Sequence, residues 1–229
     1  MAEALLVTIA PGEVVTALLY PAAAERRAGV ALILGHGAGA GQSSGFMLRC
    51  AADLAARGID AVTFNFLYME RGRRLPDAND QLEACYRAVI AALREHPTLG
   101  RLTLAIGGKS MGGRIASQVA AAGGAGDLAG LVFLGYPLHP PGKPERLRAK
   151  HLPRVGAPML FVQGERDAFG TPNELRPIIA ALVPPAELYV VAGGDHSFKV
   201  RKSEGVPQEE VERAVQERIE RWLRQAAAP

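Results

Sequence analysis

Cysteine is scarce in this chain of 229 residues: there are two, Cys50 and Cys85. They form no CxxC pair, which excludes the common zinc-ribbon and thioredoxin-like patterns. Both fall in apolar-periodic segments that read as helices, so two reduced, buried thiols are expected. Long apolar runs are also missing. No stretch approaches a membrane span in length. The opening Met1-Ala2-Glu3-Ala4-Leu5-Leu6 lacks the basic region and apolar core of a secretory signal. A cytoplasmic protein with no membrane partner is therefore expected. Charge of one sign is not concentrated either. The formal net charge is +3, with short clusters at Arg71–Arg74 and Lys199–Lys202. A dense basic stripe with interleaved aromatics is lacking, so nucleic acid is not an expected partner. No two-His-plus-acid cluster has metal-ligand spacing, and neither a metal nor another cofactor is expected. There is no internal repeat and no low-complexity linker.

What is present is a hydrophobic fraction of 48%, ordinary for a globular chain. The length suits one buried core, and residues 1–229 are expected to form one domain. Residues Ala4–Ala10 and Glu13–Tyr20 flank Pro11-Gly12 and predict an antiparallel hairpin. The continuous apolar run Val30–Leu34 reads as a strand buried on both faces, and Ile59–Phe66, Leu102–Ile106, Leu131–Leu134, Met159–Val162 and Leu188–Val191 read as further strands. Helical spacing occupies Ser44–Arg57, Asp80–Glu95, Gly112–Ala122, Thr171–Leu182 and Pro207–Arg224. Pro172 and Pro177 shorten or kink the fourth of these. Strands alternating with helices predict an α/β fold, a mostly parallel sheet covered on both faces. A Pro-rich excursion, Pro137–Pro158, is too short for a domain of its own.

Gly108-Lys109-Ser110-Met111-Gly112 is a G-x-S-x-G sequence. The pattern alone is weak, but here it follows a predicted strand and precedes a predicted helix, the setting of a nucleophile elbow. A serine in so sharp a turn is strained, and side chains two residues to either side would collide. The hydroxyl needs a base within hydrogen-bond reach. Of five histidines, only His196 follows the last core strand in the order serine, acid, histidine. The acid should come from a strand end between them. Asp167, after Met159–Val162, is selected over its neighbour Glu165 and over Asp195, which is too close in sequence to reach back to the ring. The backbone N–H groups of Met111 and Ala38 are the expected oxyanion donors. His36 and Gly37 in the glycine-rich turn, and Lys109 beside the serine, are the expected substrate contacts. Lys109 and Arg114 could meet an anion, although pairing with Glu70 or Asp77 is the plainer expectation.

Two nucleotide motifs fail. A Walker A loop ending at Lys109-Ser110 would need glycine where Thr103 stands. The stretch Gly35-His36-Gly37-Ala38-Gly39-Ala40 fits a dinucleotide fingerprint, but the next strand ends near Asn65 and not on the acidic residue such sites use.

The blocks His36–Ala40, Gly108–Arg114, Gly135–Lys143, Gln163–Gly170 and Gly194–His196 resemble, in order, one α/β-hydrolase subfamily. It includes bacterial dienelactone-hydrolase-like proteins and the animal testis-expressed and NSL-complex-subunit proteins. The resemblance implies an eight-stranded α/β-hydrolase sheet with a minimal cap, and Ser110, Asp167 and His196 at the triad positions. Dienelactone hydrolases proper use a cysteine nucleophile, and Ser110 departs from that pattern. The expected activity is hydrolysis of a small-molecule carboxylic ester or thioester by a monomer or homodimer. The alternative is a catalytically silent protein-interaction module, because some members of the subfamily work in protein complexes.

Overall fold

Strands that are apolar on both faces need cover on both, and the computed structural model supplies it. It describes residues 2–228; Met1 and Pro229, the ends of the expected domain, lie outside the described residues. Strands β1 (Glu3–Ala10) and β2 (Glu13–Tyr20) form the antiparallel hairpin, turning at Gly12 with φ 75°. Then β3 (Val30–Gly35), β4 (Asp60–Phe64), β5 (Thr103–Lys109), β6 (Gly130–Leu134), β7 (Met159–Gly164) and β8 (Ala186–Val191) complete one eight-stranded sheet. The order is β1-β2-β4-β3-β5-β6-β7-β8, and every pairing from β4 to β8 is parallel. Every residue of β3, β4, β6 and β7 is buried, including the polar Asp60, Thr63 and Gln163.

Helices α1 (Gly45–Ala56) and α6 (Gln208–Ala226) cover one face, where Met47, Leu54, Ile219 and Trp222 meet Leu32 and Leu34. Helices α3 (Asn79–Glu95), α4 (Met111–Ala121) and α5 (Pro172–Ile179) cover the other, where Tyr86, Val89, Ile115 and Leu175 meet Ile33, Phe133 and Phe161. Adjacent residues of β3 thus serve opposite layers. Each large apolar side chain buried this way contributes roughly 1.5–3 kcal/mol. Cys50 on α1 and Cys85 on α3 are free and buried. No described helix is long and apolar enough to cross a membrane.

Several boundaries differ from expectation. Strand β4 ends at Phe64, and the next residue, Asn65, accepts through its side chain from the N–H of Gln42 at 2.9 Å. The four-residue helix α2 (Leu67–Glu70) follows, too short to show a period. Strand β5 runs three residues past Ile106, into the glycine motif itself. Helix α5 stops at Ile179 instead of Leu182, with Pro177 inside it lacking a helical N–H. The Pro-rich excursion contains a single 3-10 turn, Leu152–Arg154, and no α-helix to roof the sheet. The carboxyl ends of the parallel strands are left open, which is where ligands enter such sheets.

Candidate active site

The turn after β5 is built by mutual glycine contact. A Cβ on Gly108 would lie 2.3 Å from the carbonyl oxygen of Gly35, and one on Gly112 would lie 2.1 Å from the same atom. No side chain fits at either position, so β3 and the start of α4 approach backbone to backbone. Between them Ser110 is forced to φ 50° and ψ −114°, outside the ordinary L-residue regions. Its N–H donates to the Leu134 carbonyl at 3.0 Å, fastening the elbow to β6.

The loop after β8 brings His196 to the same edge. Asp195 folds that loop on itself, its Oδ1 accepting from the N–H groups of Ser197 (2.7 Å) and Lys199 (3.0 Å). His196 Nδ1 lies 2.7 Å from Asp167 Oδ2, and Nε2 lies 2.9 Å from Ser110 Oγ. A carboxylate only accepts, so Nδ1 carries the proton and Nε2 is free to accept from the serine. Asp167 is buried, and its other oxygen accepts from the N–H of Phe169 at 2.8 Å. The His196 side chain keeps 21% exposure, enough for a reactant to reach Nε2. The three side chains selected from sequence order are thus brought together. The rival acids are used elsewhere: Glu165 accepts from the N–H of Gly193 at 2.7 Å, and Asp195 closes its own loop.

Two supporting residues lie in the Gln163–Gly170 block but were given no role by the sequence. Gln163, fully buried at the end of apolar β7, donates Nε2 to Asp167 Oδ2 at 2.9 Å and to the Gly170 carbonyl at 2.7 Å. Its Oε1 accepts from the N–H of Tyr136 at 2.8 Å. This amide holds the acid in place, and its only trace in the sequence is one polar residue at the end of an apolar run. Phe169 packs its ring 4.2 Å from that of His196, at 31°.

The turn after β3 lies beside the serine. A Cβ on Gly37 would be 3.7 Å from Ser110 Cβ, so that backbone passes the hydroxyl closely. Tyr68 holds the turn by donating to the Ala38 carbonyl at 3.0 Å. Gly37, Ala38, Lys109, Ser110 and Met111 all line a cleft of about 890 Å³. His36 does not, and the expectation that it touches substrate is corrected. It is fully buried, accepting at Nε2 from the N–H of Phe66 (3.1 Å) and donating at Nδ1 to the Gly37 carbonyl (2.8 Å). Burial lowers its pKa and keeps it neutral. Both ring nitrogens are spent on supporting the turn.

Lys109 and Arg114 are also placed differently from expectation, since neither pairs with Glu70 or Asp77. Lys109 Nζ donates to the His196 carbonyl at 2.5 Å and lies 5.6 and 5.9 Å from the rings of Phe198 and Phe46. Burial brings its pKa down to about 8, against the weaker opposing pull of Asp167 and Asp195. Arg114 donates to Asn79 Oδ1 and Gln118 Oε1 at 3.0 and 3.1 Å. Glu70 instead accepts from the N–H of Thr16, and Asp77 from the N–H of Tyr68.

A second serine–histidine contact, Ser117 Oγ to His151 Nε2 at 2.7 Å, has the opposite polarity. Ser117 is fully buried and donates its proton to the Arg114 carbonyl at 2.7 Å. With the proton so placed, Nε2 of His151 donates to Ser117 Oγ and is not set as its base.

Among the described residues no group of three or more His, Cys, Asp or Glu is arranged to hold a metal ion. In comparison with known proteins, residues 28–224 match the model of a family described as alpha/beta hydrolase domain. Among solved structures, a dienelactone hydrolase from Anabaena variabilis superposes with a TM-score of 0.76 at 21% identity, covering 100% of this chain and 99% of that one. An α/β serine hydrolase without a lid from Xanthomonas campestris gives 0.73 at 20% identity, with coverage of 100% and 97%. An α/β serine hydrolase homologue from Coxiella burnetii gives 0.72 at 21% identity, with coverage of 93% and 97%.

Proposed function

The chain belongs to the α/β-hydrolase family, and from that premise we propose that it is a single-domain serine hydrolase that cleaves a carboxylic ester or thioester of a small molecule. The observation that carries this is the continuous hydrogen-bonded series from Asp167 through His196 to Ser110, at 2.7 and 2.9 Å. In this reading Ser110 Oγ attacks the carbonyl carbon while His196 Nε2 takes its proton. Asp167 fixes the ring tautomer and stabilises the imidazolium that forms. The oxyanion is received by the N–H of Met111, at the positive end of α4, and by that of Ala38 in the turn after β3. Collapse of the tetrahedral intermediate expels the alcohol or thiol, protonated by His196. Water, deprotonated by the same ring, then releases the acid from the acyl-enzyme.

The hydrogen bonding of Gln163 and the stacking of Phe169 favour this reading over a silent interaction module. Both hold a histidine–carboxylate pair in an orientation that an interaction surface would not need. An active-site-directed fluorophosphonate should label the wild-type protein and fail to label Ser110→Ala. Hydrolysis of short p-nitrophenyl esters should fall by about 10⁴-fold or more in that variant, since serine and histidine act as one unit. Equal labelling of the two proteins would end the proposal. A series of esters of graded acyl length would then rank substrates within the class.

A further inference from the structure

The wall of the cleft is unevenly charged. Five of its lining side chains are cationic, Arg49, Lys109, Arg114, Arg148 and Lys199, against two acids, Asp77 and Glu212. Both acids are already committed. Glu212 accepts from Arg49 at 3.0 and 3.1 Å, and Asp77 pairs with Arg73 outside the cleft. Arg114 is met only by the neutral amides of Asn79 and Gln118. Among the described residues the Arg148 guanidinium has neither a hydrogen bond nor an ion pair, yet its backbone is fastened on both sides. Its N–H donates to the Leu138 carbonyl at 2.7 Å, and its carbonyl accepts from Tyr136 Oη at 2.8 Å.

Arg114 and Arg148 are both partly buried. Both line the cleft; burial lowers the pKa of Arg114 and repulsion from Arg148 lowers it further, against the weaker opposing pull of Tyr136 and of Glu83, which is itself paired with Arg87. His151 beneath them is no counter-ion. Its pKa falls to about 4 through burial and then through Arg114 and Arg154, so it is neutral at physiological pH. Two guanidinium groups lining one cleft, neither in hydrogen-bond or ion-pair contact with a carboxylate among the described residues, are unfavourable unless an anion joins them, and planar donor forks suit oxyanions. Arg114 also sits one helical turn beyond the nucleophile, its N–H donating to the Ser110 carbonyl at 3.1 Å.

We propose that Arg114 and Arg148 form an anion subsite, and that the substrate is an ester or thioester bearing a terminal oxyanion group, carboxylate or phosphate, a short spacer from its reacting carbonyl. This rests on the serine-hydrolase reading and narrows its substrate class. Arg114 and Arg148 would position the substrate and take no part in bond making.

The test compares mono-p-nitrophenyl adipate with its neutral methyl ester. The wild type should favour the anionic ester in kcat/KM by about tenfold or more, as a charge-assisted arginine contact allows. The preference should shrink as sodium chloride rises. Arg114→Gln and Arg148→Gln should each lower the anionic-to-neutral ratio about tenfold, chiefly through KM. A wild-type ratio near one, or a ratio unchanged in both variants, would overturn the subsite. Calorimetric titration keeps the two readings apart. Monomethyl adipate should bind the wild type and Ser110→Ala, and should bind neither arginine variant once circular dichroism shows them folded. If the wild type hydrolyses neither ester but binds this anion through the arginines, the hydrolase reading fails and the subsite stands. If it hydrolyses the neutral ester and binds no anion, the reverse holds. A parallel titration with butyl phosphate distinguishes phosphate from carboxylate.

Discussion

Ser110 is held at φ 50° and ψ −114° by neighbours that leave it no alternative, since Gly108 and Gly112 both abut the Gly35 carbonyl. A non-glycine residue in such a region costs of order 1–3 kcal/mol. Glycine adopts that conformation freely, at an entropic cost of about 0.5–1 kcal/mol. Ser110→Gly should therefore raise the unfolding free energy by about 1 kcal/mol over Ser110→Ala, which keeps the strain, while both lose hydrolysis. Urea unfolding of the pair measures this, and equal midpoints would show that the turn is relaxed. The elbow was legible because steric exclusion leaves glycines at fixed offsets. The contact of Asp167 with His196 was legible because a carboxylate after a strand, between Ser110 and His196 in the chain, was the one sought to orient the ring. Gln163 was not, because one amide at the end of an apolar strand has no spacing to betray its contact with Asp167. His36 misled for a related reason. Its place in a glycine-rich turn suggested substrate, whereas its two nitrogens hold Phe66 and Gly37 inside the protein. The carboxylates expected beside Lys109 and Arg114 were chosen by sign of charge alone, and charge says nothing of direction.

At the scale of elements, strands announced themselves through short, mostly apolar segments and helices through their period, and misses fall where those signals fade. Helix α2 has four residues, too few for a stripe. The length of β5 was underestimated because glycines look like a turn. Here Gly107 and Gly108 remain in the strand, with a Cβ on Gly107 only 1.9 Å from the Val132 carbonyl of β6. Helix α3 docks at this bare point of the sheet. The Tyr86 hydroxyl, fully buried, accepts from the N–H of Gly107 at 3.1 Å and lies 2.7 and 3.0 Å from the carbonyls of Gly107 and Ile33. One phenol thus joins α3 to both β3 and β5, just below the elbow. Tyr86→Phe removes the hydroxyl and leaves a buried N–H without this acceptor, which costs about 1–3 kcal/mol. The expected result is a lower urea midpoint with an unchanged m-value. Because the strands that carry the elbow lose a shared clamp, hydrolysis should decline at temperatures where the wild type is still fully active. A variant as stable as wild type would mean that water replaces the phenol at no cost.

Across the whole molecule, the sheet separates two apolar layers, and each holds one thiol. Cys50 lies in the layer of α1 and α6, and Cys85 in that of α3 and α4. Burial pushes the first up to about 11 and the second to about 12, so neither is appreciably ionised at pH 8. Alkylation then requires opening of the layer, and each cysteine reports on its own side. If the chain is one domain sharing a sheet, neither layer can open alone, because adjacent residues of β3 belong to opposite layers. Iodoacetamide at pH 8 should leave both thiols unmodified in the native protein. In rising urea, peptide mass spectrometry should find both modified at one midpoint, coincident with the loss of helical circular dichroism. Modification of Cys50 well before Cys85 would mean that α1 and α6 detach while the elbow side persists. The cleft would then rest on a foundation less cooperative than its shared sheet implies, because Phe46 of α1 and the His196 loop, tied to α6 through Gln208 and Phe198, both belong to the side that opens.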